Sequence, residues 1–555
     1  MKLRNIILVA LAMLLSGCVS LEQYPTDSYT DKDYWTKEEN IRAALYKAYS
    51  QCFGEGLYFK NNILSDDGYG SRHVSDETNI STGTANAYAS RYQSEWNQCY
   101  KALRTVHTIL DNKDRIDIGD DALKERFLAE ARYVRAYSYL RLVTWFGDVP
   151  FFTTNPTLEE SRTVSRTPAS TVMDFVHSEL AEIAEILPKN TELKAEETGR
   201  YTCGAAVALN ARAYLLDNDF ENCAKECVKL IETTDYGKYA LASDYDKLFN
   251  KHRGYENEAI MTMEYAIGED VNNILSGWTT VNILPVSVGG PNVWFSPTQE
   301  LVNCFLKLDG TVADDTDYEG RDKRFYATIA YNKCQMELPQ HGKAKVTGSL
   351  GVGKGIYTCY TNPADENEAK KADANLTDSY DGSESRTVTG YYNRKNYDPA
   401  TIADGGKSYK AIMEIRYGDV LLMYAESMFE TGNMSKAVWD KTIRPLRERA
   451  GFEESVLEYP SATGEELRNI IRNERRCELA LEGRRVYDLR RWAVMEDPEV
   501  KTQGKAVLTS QAHGAPFLDN GQNIVCQNPY KLKYWFPIPQ GERDINGNLV
   551  QNPGW

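Results

Sequence analysis

Apolar positions recur along much of this chain at the spacing of a helix face. Ala205, Ala208, Leu209, Ala213 and Leu216 fall on one face. The turn Asp217-Asn218-Asp219 follows, and Phe220, Cys223, Ala224, Cys227 and Ile231 fall on the next face. A second pair is predicted by Leu421, Tyr424, Ala425 and Met428, the turn Thr431-Gly432-Asn433, and then Ala437. Phe127, Ala131, Val134, Tyr137 and Leu140 predict a helix over 125–145, and a further one is predicted over 172–187. Near the start of the body, Thr36-Lys37-Glu38-Glu39 has the form of a capping box ahead of Ile41, Ala44, Leu45 and Ala48. Small residues on facing helices allow close approach, so the pairs are of the tetratricopeptide-like kind, although their period is irregular.

Between about 237 and 404 the character changes. Gly, Asn, Asp, Pro and Thr alternate there with short aromatic or β-branched runs, which predicts long loops with small strands. The stretch 57–92 has the same composition. The fold class predicted is therefore mainly α, with tetratricopeptide-like helical pairs as scaffold and a loop-rich irregular lobe containing short β-strands. Binding residues tend to sit on loops held by such a scaffold.

The first residues carry a different pattern. Lys2 and Arg4 precede an apolar run from Ile6 that closes on Leu15-Ser16-Gly17-Cys18, a lipoprotein export signal. The run is shorter than the roughly 20 apolar residues that span a bilayer. Cys18 is accordingly predicted to carry lipid and to become the first mature residue. The predicted organisation is a signal peptide over 1–17, a lipidated tether over 18–33, an N-terminal helical region over 34–236, the loop-rich lobe over 237–404 and a C-terminal helical region over 405–555.

Composition adds exclusions more than assignments. A formal charge of −16 over 555 residues lacks the basic footprint that nucleic acid requires. Tyrosine is over-represented, with 36 Tyr against 16 Phe and 9 Trp. Such rings suit helix packing with the hydroxyl reaching water, and they also suit wet ligand surfaces. Of the eleven cysteines, Cys223 and Cys227 are predicted as core thiols at i,i+4, and no Cys/His cluster has zinc spacing.

Two motifs are decoys. Residues 348–354 begin like a phosphate loop, but Gly355 stands where Ser or Thr would hold magnesium. Asp315, Asp317 and Glu319 resemble the start of a calcium loop, yet Tyr326 occupies the closing position, so a solvated acidic turn is predicted, with a structural Ca²⁺ as the alternative. No cofactor is otherwise implied. Neither a Gly-x-Ser-x-Gly elbow nor His-Glu-x-x-His occurs. Glycoside hydrolysis leaves no spacing to read, because the fold brings its two carboxylates together.

From Glu465 the sequence runs Glu-Glu-Leu-Arg-Asn-Ile-Ile-Arg-Asn-Glu-Arg-Arg-Cys-Glu-Leu-Ala-Leu-Glu-Gly-Arg-Arg-Val-Tyr-Asp-Leu-Arg-Arg to Trp492. Leu467, Ile470, Ile471, Cys477 and Leu481 form one stripe, and Glu474 lies on it. A carboxylate there needs a cation, and Arg490 and Arg491 are the candidates.

With this helix, several other segments resemble the SusD/RagB family of outer-membrane lipoproteins. They are Ala129-Glu130-Ala131-Arg132 leading to Phe146-Gly147-Asp148-Val149-Pro150; Arg416-Tyr417 with Asp419 to Glu426; Pro297 to Phe305 before Asp309-Gly310 and Arg321-Asp322; and the ending Phe536-Pro537-Ile538-Pro539 with Gln551-Asn552-Pro553-Gly554-Trp555. The resemblance implies a non-catalytic surface protein of the outer membrane. It would bind oligosaccharide, hand it to a SusC-like TonB-dependent transporter and be tethered through lipid at Cys18. Two alternatives stay open: a surface glycoside hydrolase, and a peptide-binding or scaffold subunit of the same kind of complex.

A sugar presents a C–H face and a rim of hydroxyls, so its site needs aromatic planes beside carboxylates, amides or Arg. The loop Ser65-Asp66-Asp67-Gly68-Tyr69-Gly70-Ser71-Arg72 has that composition. Tyr69 is predicted to stack, with Asp66, Asp67 and Arg72 serving hydroxyls. Tyr88 sits in a polar loop before the helix of Trp96, whose i+4 pairing with Tyr100 reads as helix core. Trp278 and Trp294 lie in Gly-flanked loops, each either a loop anchor or a stacking platform, and Arg386 is a further contact candidate.

Overall fold

The computed structural model describes residues 31–71, 74–251, 257–268, 277–279, 282–288, 293–315, 317–339, 355–361, 365, 378–379, 386–402, 406–494, short strand segments between 505 and 527, and 534–555. The predicted leader with Cys18, Arg72 and the phosphate-loop-like stretch 348–354 lie outside the described residues.

The body is a succession of helices: α1 (Glu38–Cys52), α2 (Ser90–Asp111), α3 (Asp121–Phe146), α4 (Ala169–Ala184), α5 (Cys203–Leu216), α6 (Phe220–Ile231), α7 (Tyr417–Glu430), α8 (Gly464–Glu478) and α9 (Arg485–Arg491). From α1 to α8 each helix packs against the next, as stacked helical pairs must. The chain is mainly α, as its periodicity predicts. The turn between α5 and α6 shows the local chemistry: Asn218 takes the left-handed conformation with φ 58°, and Asp219 caps α6 by accepting from the Asn222 N–H at 3.1 Å. At the start of α1 the predicted capping box does not form. The helix begins after Lys37 with no side-chain cap, and the Thr36 hydroxyl donates backwards to the Asp33 carbonyl at 3.0 Å.

Helix α5 is buried on nearly every side because its small residues let three neighbours close on it. Cys223 and Cys227 on α6 are fully buried, as the spacing predicts. Buried and half-buried tyrosines place their hydroxyls on fixed acceptors: Tyr49 donates to Glu130 at 2.7 Å, Tyr137 to Glu414 at 3.1 Å, and Tyr139 to the Phe152 carbonyl at 2.6 Å. Much of the tyrosine excess is thus core packing with the polar handle satisfied.

Between α6 and α7 the chain leaves the helical stack. Strand β2 (Ala259–Met263) lies near the start of this excursion, and β6 (Ile412–Arg416) pairs with it antiparallel on the return. Within the excursion are β3 (Phe295–Pro297), β4 (Cys334–Glu337) and β5 (Ile356–Cys359). Outside it, β1 (Gly68–Gly70) crosses to pair with β3. A separate apolar core, built on Trp278, Phe295, Phe325, Tyr391 and Tyr392, fills this lobe.

The seam between lobe and body is ionic. Glu478 of α8 is contacted by Arg324, Arg416 and Arg449, and Arg416 also reaches Glu258 at 2.8 Å and Glu482 at 2.8 Å. Lys395 joins Glu482 at 2.7 Å. Glu474 is paired as its place on an apolar stripe demands, but its partners are Arg324 at 2.6 Å and Arg447 at 2.8 Å. The predicted partners are engaged elsewhere: Arg491 holds Glu426 and Asp488, and Arg490 donates to the Thr144 carbonyl at 2.7 Å. Burial acts to raise the Glu478 carboxyl, but its three arginines outweigh burial and hold it well below the ordinary range.

Arg416→Met removes a cation shared by three buried carboxylates and leaves each short of one partner, so unfolding free energy should fall by about 3–5 kcal/mol. Lys225→Ala, which breaks a pair with both side chains exposed, should cost less than about 1 kcal/mol. Chemical denaturation followed by circular dichroism checks both. Equal, small shifts would show that the seam does not carry the fold.

Candidate functional site

The predicted loop is organised by a two-strand ribbon. In β1 and β3, Gly68 opposes Pro297, Tyr69 opposes Ser296 and Gly70 opposes Phe295, and the Ser71 N–H extends the pairing to the Trp294 carbonyl at 2.9 Å. Side chains alternate between faces along a strand. Tyr69 and Trp294 therefore share one face as diagonal neighbours, about 7–8 Å apart at the backbone, and both are half-buried. Phe295 points the other way into the lobe core. Gly70 makes this approach feasible, because a Cβ there would run into the Thr78 hydroxyl and come within 2.7 Å of Ile63. The helix Ser75–Ser81 could not otherwise pack on the ribbon.

Around this face stand residues that local sequence does not single out. The Lys60 ammonium lies 5.0 Å from the centre of the Trp294 ring and 3.2 Å from the Glu77 carboxylate. Asp76 accepts from the Ser90 N–H at 2.7 Å and fixes the start of α2. The Lys60–Trp294 contact leaves no signature in the spacing, since it joins elements distant along the chain. Tyr88 is 70% exposed, and its loop is held by Asn86, which accepts from the Tyr88 N–H at 3.0 Å, and by the Gln540 N–H, which donates to the Ala87 carbonyl at 3.2 Å.

Other predicted contacts are corrected. Asp66 and Asp67 do not face outward to serve sugar hydroxyls. Both are buried: Asp66 accepts from Arg485 at 2.8 and 2.9 Å, and Asp67 accepts from Arg476 at 2.8 Å. Their backbone carbonyls receive the Thr298 hydroxyl at 2.7 Å and the Thr298 N–H at 3.0 Å. The pair is a latch that binds the ribbon to the C-terminal arginine motif. Burial tends to raise the Asp66 carboxyl, but Arg476 and Arg485 outweigh it and hold it down at about 2. Burial pushes Asp67 upward, opposed by Arg476 and reinforced by the Asp66 charge.

Trp278 is an anchor and not a platform. It is fully buried, packs on Phe59 with ring centres 5.2 Å apart, and donates its indole N–H to the Lys410 carbonyl at 2.9 Å. Arg386 is half-buried and donates to the Ser379 carbonyl at 3.3 Å, beside the buried Tyr391 and Tyr392. Trp96 is 4% exposed and packs on Tyr100 and Phe146, as its helical spacing predicts.

In the acidic turn, Asp315 accepts from Asn303 at 2.7 Å and Asp317 pairs with Lys307 at 2.6 Å. Among the described residues, no group of three or more His, Cys, Asp or Glu converges as metal ligands would. A hollow of about 560 Å³ lies between α2 and the C-terminal segment, walled by Tyr100, Phe152, Asn155 and Glu542. None of the predicted contact residues lines it. Among the described residues, no helix is long and apolar enough to cross a membrane.

Two family models match the chain. One, described as "SusD family", covers residues 257–555, and the other, described as "Starch-binding associating with outer membrane", covers residues 21–215. SusD-like protein P25 of Formosa agariphila is 24% identical over 100% of this chain and 98% of its own length. The crystal structure of a SusD-like carbohydrate binding protein from Bacteroides fragilis is 25% identical, with a TM-score of 0.77 over 93% of this chain and all of that one. A laminarin binding SusD-like protein is 23% identical, with a TM-score of 0.64 over 94% of this chain and all of that one.

The latch has a pH signature. Because Asp66 is depressed from 3.8 to about 2, its contribution is present above the ordinary carboxylate value and is lost as pH falls towards 2, on the order of 2 kcal/mol. Asp66→Asn should lower stability at neutral pH by about that amount or more, and should flatten the acid limb of the stability profile between about pH 4 and 2. Denaturation midpoints measured across that window test it; an acid limb unchanged by the substitution would remove the latch from the account.

Proposed function

The chain belongs to the SusD family, and on that premise we propose that it is a non-catalytic glycan-binding lipoprotein of the outer membrane, anchored through lipid at Cys18 and facing outward. It captures oligosaccharides and passes them to a SusC-like TonB-dependent transporter. The observation that carries the glycan part is the pairing of Tyr69 and Trp294 on one face of a ribbon whose backing is locked to the body. Two aromatic planes on a shallow face suit the C–H side of sugar rings, and the Lys60 ammonium supplies donors beside the Trp294 ring. The laminarin binding SusD-like protein, which shares the fold, supports the same ligand class. A shallow face of this kind binds each sugar weakly and gains from long chains by repeated contact.

The absence of catalysis is supported by how the buried acids are used. Glycoside hydrolysis needs two carboxyls roughly 5–9.5 Å apart in an open cleft, one of them with a raised pKa. Asp66 and Asp67 beneath the ribbon and Glu474 and Glu478 of α8 are committed to guanidinium groups. Asp378, whose carboxyl burial raises to about 6, is enclosed and accepts the Ser287 N–H at 2.8 Å.

Affinity electrophoresis of the chain from residue 19 onward, in gels containing laminarin, starch and other polysaccharides, tests the proposal. Retardation is expected without new reducing ends. Tyr69→Ala and Trp294→Ala should each weaken it about tenfold or more, equivalent to about 1.4 kcal/mol, with the fold intact. Trp278→Ala should instead destabilise the fold by about 3–5 kcal/mol. Release of reducing ends would overturn the non-catalytic reading, and failure of every polysaccharide to retard the chain would overturn glycan binding.

A further inference from the structure

Strands β4 and β5 pair antiparallel with Cys334 directly opposite Cys359. Alternation along this ribbon turns Cys334, Met336, Tyr357 and Cys359 inward and leaves Gln335, Glu337 and Ile356 exposed. Directly opposed residues of an antiparallel pair have Cα atoms about 4.5–5.5 Å apart and side chains on the same face. That separation falls within the roughly 4.4–6.8 Å over which a disulfide closes without moving the backbone. The two thiols meet: the hydrogen bond between them favours the thiolate at Cys334 and disfavours it at Cys359, which burial also pushes up.

Other cysteines close in the fold are arranged differently. The Cys477 thiol donates to the Cys304 carbonyl at 3.1 Å and the Cys304 thiol donates to the Glu300 carbonyl at 3.1 Å, so each sulfur is directed at backbone. The Cys52 thiol donates to the Tyr49 carbonyl at 3.2 Å. Cys223 and Cys227 also interact, but at i,i+4 on one helix, where their Cα–Cβ bonds run parallel towards the N-terminus. Only for Cys334 and Cys359, among the described residues, does strand register set two cysteines face to face.

We propose that Cys334 and Cys359 are an oxidation site of the exported protein and are joined there as a disulfide across the β4–β5 ribbon. The compartment rests on the outer-membrane reading given above; the geometry does not. Exported chains meet oxidising conditions in which disulfides form and persist. The co-reactant is a disulfide-bearing thiol oxidant. One cysteine thiolate attacks a sulfur of that disulfide and forms a mixed disulfide, releasing the first oxidant thiolate. The second cysteine thiolate then attacks the sulfur of this chain in the mixed disulfide, forming the 334–359 bond and releasing the second oxidant thiolate. The two protons lost by the cysteines end on the oxidant, which leaves as a dithiol. Both sulfurs are sheltered in the folded lobe, Cys334 at 5% exposure and Cys359 fully buried, so the exchange belongs to folding, before the lobe closes.

The consequence is local to the binding face. Cys334 and Cys359 belong to the apolar core that also contains Trp278 and Phe295. Phe295 is the inward residue of β3, beside Trp294. A covalent tie there stiffens the layer on which the aromatic face rests.

Peptide mapping tests the proposal directly. The full chain, exported with its own leader, is denatured and alkylated without reduction, and its peptides are weighed. One cystine-linked pair joining the peptides of Cys334 and Cys359 is expected, two hydrogens lighter than the sum of the free peptides, with Cys52, Cys99, Cys203, Cys223, Cys227, Cys304, Cys477 and Cys526 alkylated. Alkylation of both Cys334 and Cys359, or linkage of either to another cysteine, overturns the proposal. The same samples report lipid on the Cys18 peptide, so failure of export and failure of the disulfide are told apart. If the exported chain lacks lipid, the leaderless chain refolded with oxidised glutathione tests the geometry through the same peptide masses. A Cys334→Ser, Cys359→Ser double variant adds a second reading: a reductant should lower the melting temperature of the wild type by several degrees and leave that of the variant unmoved.

Discussion

The constraint on which the rest of this structure depends is charge neutralisation along α8. Buried ions are expensive, and their attraction offsets the cost only when geometry is good and every charge is met. Helix α8 meets this condition on several sides at once. Glu474 and Glu478 face arginines of the lobe and of the helix Ile443–Ala450. Arg475 turns to Asp419 of α7 and Asp488 of α9, each within 2.9 Å. Arg476 turns to Asp66 and Asp67 beneath the ribbon. One helix thus joins the helical stack, the excursion and the candidate binding loop. Removing any member leaves buried charges short of a partner, so the three regions are held in one arrangement by cost as much as by attraction.

That arrangement bears on recognition. A shallow aromatic face loses affinity if its rings must be ordered on binding, because each immobilised side chain costs entropy. Here the ribbon is fixed from below by the Asp66 and Asp67 latch, from the side by the helix packed against Gly70, and at Trp294 by Lys60. The same residues that look like ligand contacts in composition are used to make their neighbours rigid. Asp67 gives up a hydroxyl contact, and Tyr69 two residues on gains a defined direction.

The helical body was legible because its signals are local. Apolar spacing locates α3, α5, α6 and α7, and Asn218 and Asp219 mark the turn between two of them. The site was legible only as a neighbourhood. Trp278 and Trp294 both follow glycine-containing stretches, yet one is sealed against Phe59 and the other lies half-open under Lys60. Nothing within several residues of either tryptophan distinguishes them; the difference is which distant segment arrives on top. Glu474 shows the same limit. Its place on an apolar stripe demands a cation, but the choice of Arg324 and Arg447 over Arg490 and Arg491 is made by tertiary packing. Asp66 and Asp67 mislead for the opposite reason, since carboxylates in a glycine-rich loop read as exposed until two arginines from far along the chain enclose them.

The excursion between α6 and α7 explains how such a scaffold accommodates change. The entropy of closing a loop rises only slowly with its length, and this loop is drawn together near its ends by the β2–β6 pair. Residues inserted beyond that pair therefore cost the helical stack little. The aromatic face is made where the excursion returns to the body: Trp294 is contributed by the lobe, and Tyr69 by the segment between α1 and α2. Substitution of Tyr69 or Trp294 alters the face without removing a partner of the α8 ion pairs. A fold preserved over nearly the whole chain at about one quarter identity is what this division permits. The ionic seam holds the architecture, while the surface that meets ligand is free to diverge.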